Sequence, residues 1–110
     1  MQATEQGVQI VFDALTSLPG NLTSLTGGAL SMVVQSTVTG ARSGPYTCVV
    51  GTAATINGTA YTTGSYGYYI TLGTEFMQGG GYYVQFIASF SGGTQIYKAP
   101  PYYLTVGAVL

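Results

Sequence analysis

The stretch Gly79-Gly80-Gly81-Tyr82-Tyr83-Val84-Gln85-Phe86-Ile87-Ala88-Ser89-Phe90 decides the fold. After three glycines, Tyr82, Val84, Phe86, Ala88 and Phe90 recur at every second position. Successive side chains of a β-strand point to opposite faces, so these five share one face and Tyr83, Gln85, Ile87 and Ser89 share the other. The period is two throughout, which is not the three-and-four spacing of an amphipathic helix.

The reading extends in both directions from this strand. Ser91-Gly92-Gly93-Thr94 predicts a hairpin loop into a strand at Gln95-Ile96-Tyr97. Ala99-Pro100-Pro101 then interrupts the ladder, because proline has no N–H to donate. A last strand covers Tyr102 to Ala108. Upstream, Thr74 to Gln78 is long enough for one turn only. The strand before it is Tyr66 to Leu72, with Tyr66, Tyr68, Ile70 and Leu72 on one face and Tyr69 and Thr71 on the other. Ile56-Asn57-Gly58-Thr59 suits a type I′ hairpin turn, which needs two positive φ angles, and leads into a short strand over Thr59 to Thr62. A strand over Tyr46 to Ala54 precedes it, after a loop from Gly40 to Pro45 that holds Arg42. Leu30 to Val38 is another strand, with Leu30, Met32 and Val34 as its core face. The first is Val8 to Ala14, with Val8, Ile10, Phe12 and Ala14 inward, and Ser17 to Asn21 is the turn that closes it. These seven or eight short strands, with no useful amphipathic helix to compete, predict an all-β fold: an antiparallel β-sandwich.

The chain has 110 residues and a mass of 11.4 kDa, which predicts a single β-sandwich domain over 1–110, with residues 1–6 as an extended N-terminal arm. Its chemistry is narrow. There are two basic and three acidic residues, no histidine, no tryptophan and one cysteine. Without histidine, the Ser-His-Asp and Cys-His nucleophile systems are excluded, and no catalytic residue is assigned. One cysteine and three scattered carboxylates give no metal site, and no cofactor is expected. Two cations cannot make a nucleic-acid footprint, and no apolar run has the ~20 residues of a membrane helix. The expected partners therefore include neither nucleic acid nor membrane.

Individual residues read as follows. Asp13 and Glu75 are expected as a strand-end charge and a turn residue and not as a catalytic pair. Cys48 is expected to be a buried, inert thiol, since no cation lies near it in sequence to activate it. Gly79-Gly80-Gly81 lacks the lysine and helix of a phosphate loop. Asn21-Leu22-Thr23 and Asn57-Gly58-Thr59 match the glycosylation pattern but are expected as turns, because no secretory signal is read at the N-terminus. The doublets Tyr68-Tyr69, Tyr82-Tyr83 and Tyr102-Tyr103 should each place one ring inside and one outside. Tyr69, Tyr83 and Tyr103 are read as the outward set. With Ile87 they form the candidate protein interface, because exposed tyrosine offers area and a hydroxyl at low entropic cost. Charged residues make up 5% of the chain, so little repulsion keeps copies apart and an assembled state is expected.

Gly80-Gly81-Tyr82-Tyr83-Val84 also resembles the immunoglobulin tyrosine corner, with Val84 where a cysteine would stand. Read in order, several segments resemble the small immunoglobulin-like structural proteins of tailed-bacteriophage virions. They are Val8-Gln9-Ile10-Val11-Phe12-Asp13, Leu25-Thr26-Gly27-Gly28-Ala29-Leu30, Gly81-Tyr82-Tyr83-Val84-Gln85-Phe86 and Pro101-Tyr102-Tyr103-Leu104-Thr105-Val106. The resemblance implies an immunoglobulin-like sandwich without catalysis that acts as a capsid decoration (cement) protein. Its partners would be the major capsid protein and its own copies, and its location the virion after synthesis in the host cytoplasm. A tail, fibre or baseplate attachment domain and a carbohydrate-binding module are the alternatives.

Overall fold

The computed structural model describes residues 1–18 and 24–108. Among the described residues ten strands run in chain order: β1 (Gln6–Asp13), β2 (Ala29–Ser36), β3 (Arg42–Thr47), β4 (Val49–Val50), β5 (Ala54–Ile56), β6 (Thr59–Tyr61), β7 (Tyr66–Leu72), β8 (Gly80–Phe90), β9 (Gln95–Lys98) and β10 (Tyr102–Val106). A short helical turn, α1 (Ala14–Ser17), follows β1. The expected turn at Ser17 to Asn21 falls largely outside the described residues, as does the Asn21 sequon. The fold is all-β, and the strand pairings are antiparallel.

A three-stranded sheet has the order β1-β7-β4, and a five-stranded sheet has the order β10-β8-β2-β3 with β9 also paired to β8. β9 and β10 occupy one edge of β8: Gln95 to Lys98 pair with its far end and Tyr102 to Val106 with its start. Between them the prolines break the ladder as expected, and Ala99 N–H still donates to Phe86 C=O at 3.0 Å. The inner faces of the two sheets meet. Ile10 and Phe12 of β1 bury against Leu30, Met32 and Val34 of β2 and Val84, Phe86 and Ala88 of β8. The Phe12 and Phe86 rings lie 5.1 Å apart across the seam, which makes the two layers a β-sandwich.

Ten strands replace the expected seven or eight because the predicted strand over Tyr46 to Ala54 divides into β3 and β4, and its last residue, Ala54, opens the separate β5. β3 belongs to the large sheet and β4 to the small one, so the chain changes sheets at Cys48. Cys48 N–H makes a last bond to Leu30 C=O at 2.9 Å, and Val49 then pairs with Tyr68. β3 also begins inside the expected Gly40 to Pro45 loop. It does so through a bulge, in which Val34 pairs with Ser43 but Met32 with Tyr46. The hairpin at Asn57-Gly58 has the two positive φ angles, 50° and 82°, that its sequence demands.

Residues 1–5 precede β1 and lie beside the end of β10. Ala3 N–H donates to Gly107 C=O at 2.7 Å and Gly107 N–H to Met1 C=O at 2.9 Å, a parallel bridge beside the end of β10. Ala3 is buried, and Gln6 already belongs to β1.

Tyr82 bonds back to the segment that precedes β8. Its hydroxyl donates to Gln78 C=O at 2.7 Å and accepts Gln78 N–H at 3.3 Å, while its ring meets Phe76 edge-on at 4.9 Å. The bond ties the β7–β8 connection to the first turn of β8. Tyr82→Phe keeps the ring and removes one part-buried hydrogen bond, a loss of about 0.5–1.5 kcal/mol. Urea unfolding should show a lower midpoint at an unchanged slope; an unchanged midpoint would mean that the bond does not support the fold.

Candidate interaction face

Tyr83 and Tyr103 are the outward rings of their doublets, 48% and 58% exposed. They are directly paired across β8 and β10, and their rings meet edge-on at 5.8 Å. Tyr103 has room for this because Gly81 lies beneath it. A Cβ on Gly81 would come 2.0 Å from the Tyr103 hydroxyl oxygen, so any side chain there would lift the ring.

The pair belongs to a rung that crosses the whole outer face of the five-stranded sheet. Gln35 pairs with Tyr83 on one side and with Arg42 on the other. Val33 and Gln85 form the next rung, and Gln85 Nε2 is held by Ala99 C=O at 2.9 Å. Ile87 lies further along, half-buried, between Ser31 and Lys98. A shallow depression of ≈ 210 Å³ among Val33, Gln35, Arg42, Tyr83, Gln85 and Pro101 opens onto this face. Tyr83, Ile87 and Tyr103 therefore stand on one outer face, with Tyr83 and Tyr103 in contact. Val33 and Gln35 were implicit in the alternation of β2. Arg42 and Lys98 were not, because one was expected in a loop and the other just past a strand end.

Tyr69 is the exception, and it corrects the reading of β7. It is 8% exposed and lies in the core under Tyr46, ring to ring at 5.4 Å. The faces of β7 are the reverse of the expected ones: Gly67, Tyr69 and Thr71 point inward, and Ile70 and Leu72 are exposed. Two polar anchors account for this. Thr71 Oγ1 fills a bulge in β1, donating to Glu5 C=O at 2.8 Å and accepting Val8 N–H at 3.1 Å. Tyr69 Oη donates to Glu75 Oε2 at 2.5 Å. Tyr66, on the outer side, is nevertheless buried, because it packs on Gly51 and Tyr61 and its hydroxyl donates to Thr52 C=O at 2.8 Å.

Glu75 is buried and fully engaged. Besides Tyr69, its carboxylate accepts Leu72 N–H at 2.9 Å and Gly73 N–H at 3.1 Å, so it closes the turn after β7. Burial pushes its pKa up, but the Tyr69 hydroxyl and the backbone N–H groups outweigh that and hold it below the usual carboxylate value. Asp13 is elsewhere, accepting the Tyr61 hydroxyl at 3.4 Å, so the two carboxylates serve separate structural contacts. Burial pushes the Cys48 thiol up to about 12, which leaves it protonated and unreactive at neutral pH. Among the described residues no group of three or more His, Cys, Asp or Glu side chains could hold a metal ion, and no helix is long and apolar enough to cross a membrane.

No protein-family model matches the chain, and comparison with curated proteins and with solved structures finds no match.

The Glu75 arrangement sets a pH dependence. A carboxylate whose folded pKa is depressed contributes stability above its unfolded pKa of about 4.3 and loses it as pH falls through the folded value. The unfolding midpoint in urea should therefore drop below pH 4 in the native protein. In Glu75→Gln it should start lower at pH 7 and fall less on acidification. Parallel curves for the two proteins would show that Glu75 does not carry the acid sensitivity.

Proposed function

We propose that this chain is a non-enzymatic structural protein that works by docking the outer faces of its sandwich, most specifically as a capsid decoration protein of a tailed-phage virion. The observation that carries this reading is the Tyr83–Tyr103 rung with Ile87: an exposed, preformed aromatic and apolar surface on a rigid sheet. Aromatic anchors of this kind dominate protein interfaces. Its neighbours are Thr, Ser and Gln, which can form hydrogen bonds at a rim without strong desolvation costs.

The immunoglobulin-like assignment belongs to the same reading. It is supported by the two sheet orders, by the parallel contact of the N-terminus with the end of β10, and by the Tyr82 bond to Gln78. On the resemblance in the sequence, the partners are the major capsid protein and further copies of the chain, and the place is the virion. A sparsely charged surface suits repeated copies on a shell, where modest contacts add up through their number. A carbohydrate-binding module would also use exposed tyrosines. The face offers Arg42 and Gln35 beside them but no tryptophan.

Light scattering across a hundredfold dilution tests the reading. Particles larger than the 11.4 kDa chain should form at high concentration and shrink on dilution. Tyr83→Ala with Tyr103→Ala should weaken that association about tenfold or more. Going from 50 to 500 mM salt should change it less than about threefold, because exposed ion pairs contribute only ~0–1 kcal/mol each. A protein that stays monomeric, and whose glycan-array signal disappears in the same double variant, would point to the carbohydrate-binding module instead.

A further inference from the structure

Charge is placed unevenly on this chain. Arg42 and Lys98, its two cations, stand on the outer face of the five-stranded sheet, opposite Gln35 and Ile87 respectively, and both are exposed. Among the described residues no acidic side chain shares that face. Glu75 is buried in the turn after β7. Glu5 Oε1 accepts Gln2 N–H at 2.9 Å, beside the N-terminal bridge. Asp13 belongs to β1 in the other sheet and accepts the Tyr61 hydroxyl. All three acidic side chains are thus engaged within the fold, while both cations are left on the surface.

The cations stand on either side of an apolar area. Arg42 lies on β3 and Lys98 on β9, three strand spacings apart, and the β8 residues on their rungs are Tyr83 and Ile87. At ~4.8 Å per strand and ~3.4 Å per residue, their backbones are about 20 Å apart. Val33 and Ile87, both half-buried, lie between them, and Tyr83 and Tyr103 continue the Arg42 rung. Ile96, 57% exposed, extends the area past Lys98. A partner that covers this face without counter-charges strips water from two cations and replaces it with nothing.

A second copy of the chain does not supply those counter-charges. Two copies can bring their tyrosines together at high concentration, but like faces assemble four cations, and the acidic side chains of each copy are already engaged. The preferred occupant is therefore a different molecule. Val33, Ile87 and Ile96 are aliphatic and pack on apolar side chains, not on the hydroxyl groups of a sugar, which favours a protein. Resting on the docking reading above, we propose that the outer face of the five-stranded sheet docks onto a different protein whose contact surface is apolar at its centre and carries carboxylates opposite Arg42 and Lys98. The apolar centre supplies the affinity, and the two cations select the acidic surface and fix its orientation.

A yeast-displayed library of random twelve-residue peptides is the probe, selected on the immobilised native protein. About seven extended residues at ~3.3 Å each span the two cations, so such peptides reach both. The enriched peptides should hold more acidic than basic residues, together with aromatic or aliphatic ones. As free peptides they should bind about threefold or more weakly to Arg42→Gln with Lys98→Gln. Arg42→Glu with Lys98→Glu should weaken them about tenfold or more and, used as the selecting protein, should enrich basic peptides instead. Circular dichroism checks that each variant is folded; where Arg42→Glu disturbs β3, Lys98→Glu alone takes its place. Neutral or basic peptides whose binding is lost in Tyr83→Ala with Tyr103→Ala would overturn the acidic partner while leaving the docking reading intact. Binding of polygalacturonate as tight as that of the peptides would assign the face to an acidic glycan. Self-association that weakens tenfold in the charge-reversed variant would assign it to a second copy, and either result would overturn the proposal. A native protein that enriches no peptide dependent on Tyr83 and Tyr103, and does not associate with itself, would overturn the docking reading as well.

Discussion

The contact of Phe12 with Phe86 across the seam is the interaction on which the rest depends. Phe12 is near the end of β1 in the small sheet, and Phe86 is at the middle of β8 in the large one. Burying two such rings supplies several kcal/mol of the drive to fold. It also fixes which face of each strand is inside. Once Phe86 points inward, Tyr82, Val84 and Ala88 must follow, and Tyr83, Gln85 and Ile87 must face out. The interaction face is thus a consequence of core register. A one-residue slip of β8 would bury the display surface and expose the core.

This is also why most of the architecture was legible in the sequence. In β1, β2 and β8 the apolar residues hold one phase, and the structure places Ile10, Phe12, Leu30, Met32, Val34, Val84 and Phe86 where that phase puts them. β7 was misread because both of its faces are rich in apolar or aromatic residues, so hydrophobic period alone cannot choose between them. The choice is made by polar anchors distant in sequence. Thr71 completes a bulge whose partner groups are Glu5 and Val8, and Tyr69 needs Glu75 as its acceptor. A threonine and a tyrosine carrying such bonds can be buried, and isoleucine and leucine are then displaced to the surface. The divided strand at Cys48 was illegible for a related reason. A change of sheets leaves no mark in local propensity, and only Gly51 and Gly67, which admit the Tyr66 ring and the Leu30 side chain, betray it.

The sparse charge has a second consequence beyond solubility. With five charged residues, each one is a landmark. Glu75 is consumed by the fold: it closes a turn through backbone N–H groups and holds Tyr69 in place. Glu5 and Asp13 are also engaged, by Gln2 N–H and by the Tyr61 hydroxyl, which leaves Arg42 and Lys98 on the outer face of the five-stranded sheet. A surface crowded with charges of both signs specifies no orientation through any single pair. Two isolated cations, set around an apolar centre, restrict how that face can meet a partner. Their attractive contribution is small, and their discriminating power comes from the misalignments they penalise.

Preorganisation connects the fold to this use. Docking that must first order side chains loses about 0.5–1.5 kcal/mol for each long, flexible one. Here the exposed anchors are already ordered. Tyr103 rests on the bare backbone of Gly81 and against the edge of Tyr83, and Gln85 is tethered to Ala99. The glycines that open β8 therefore do more than end a turn. Gly81, which reads in the sequence as part of a loop, is the absence of a side chain that lets a tyrosine lie down. The same short stretch that determines the strand and its core face also shapes the surface that the strand presents.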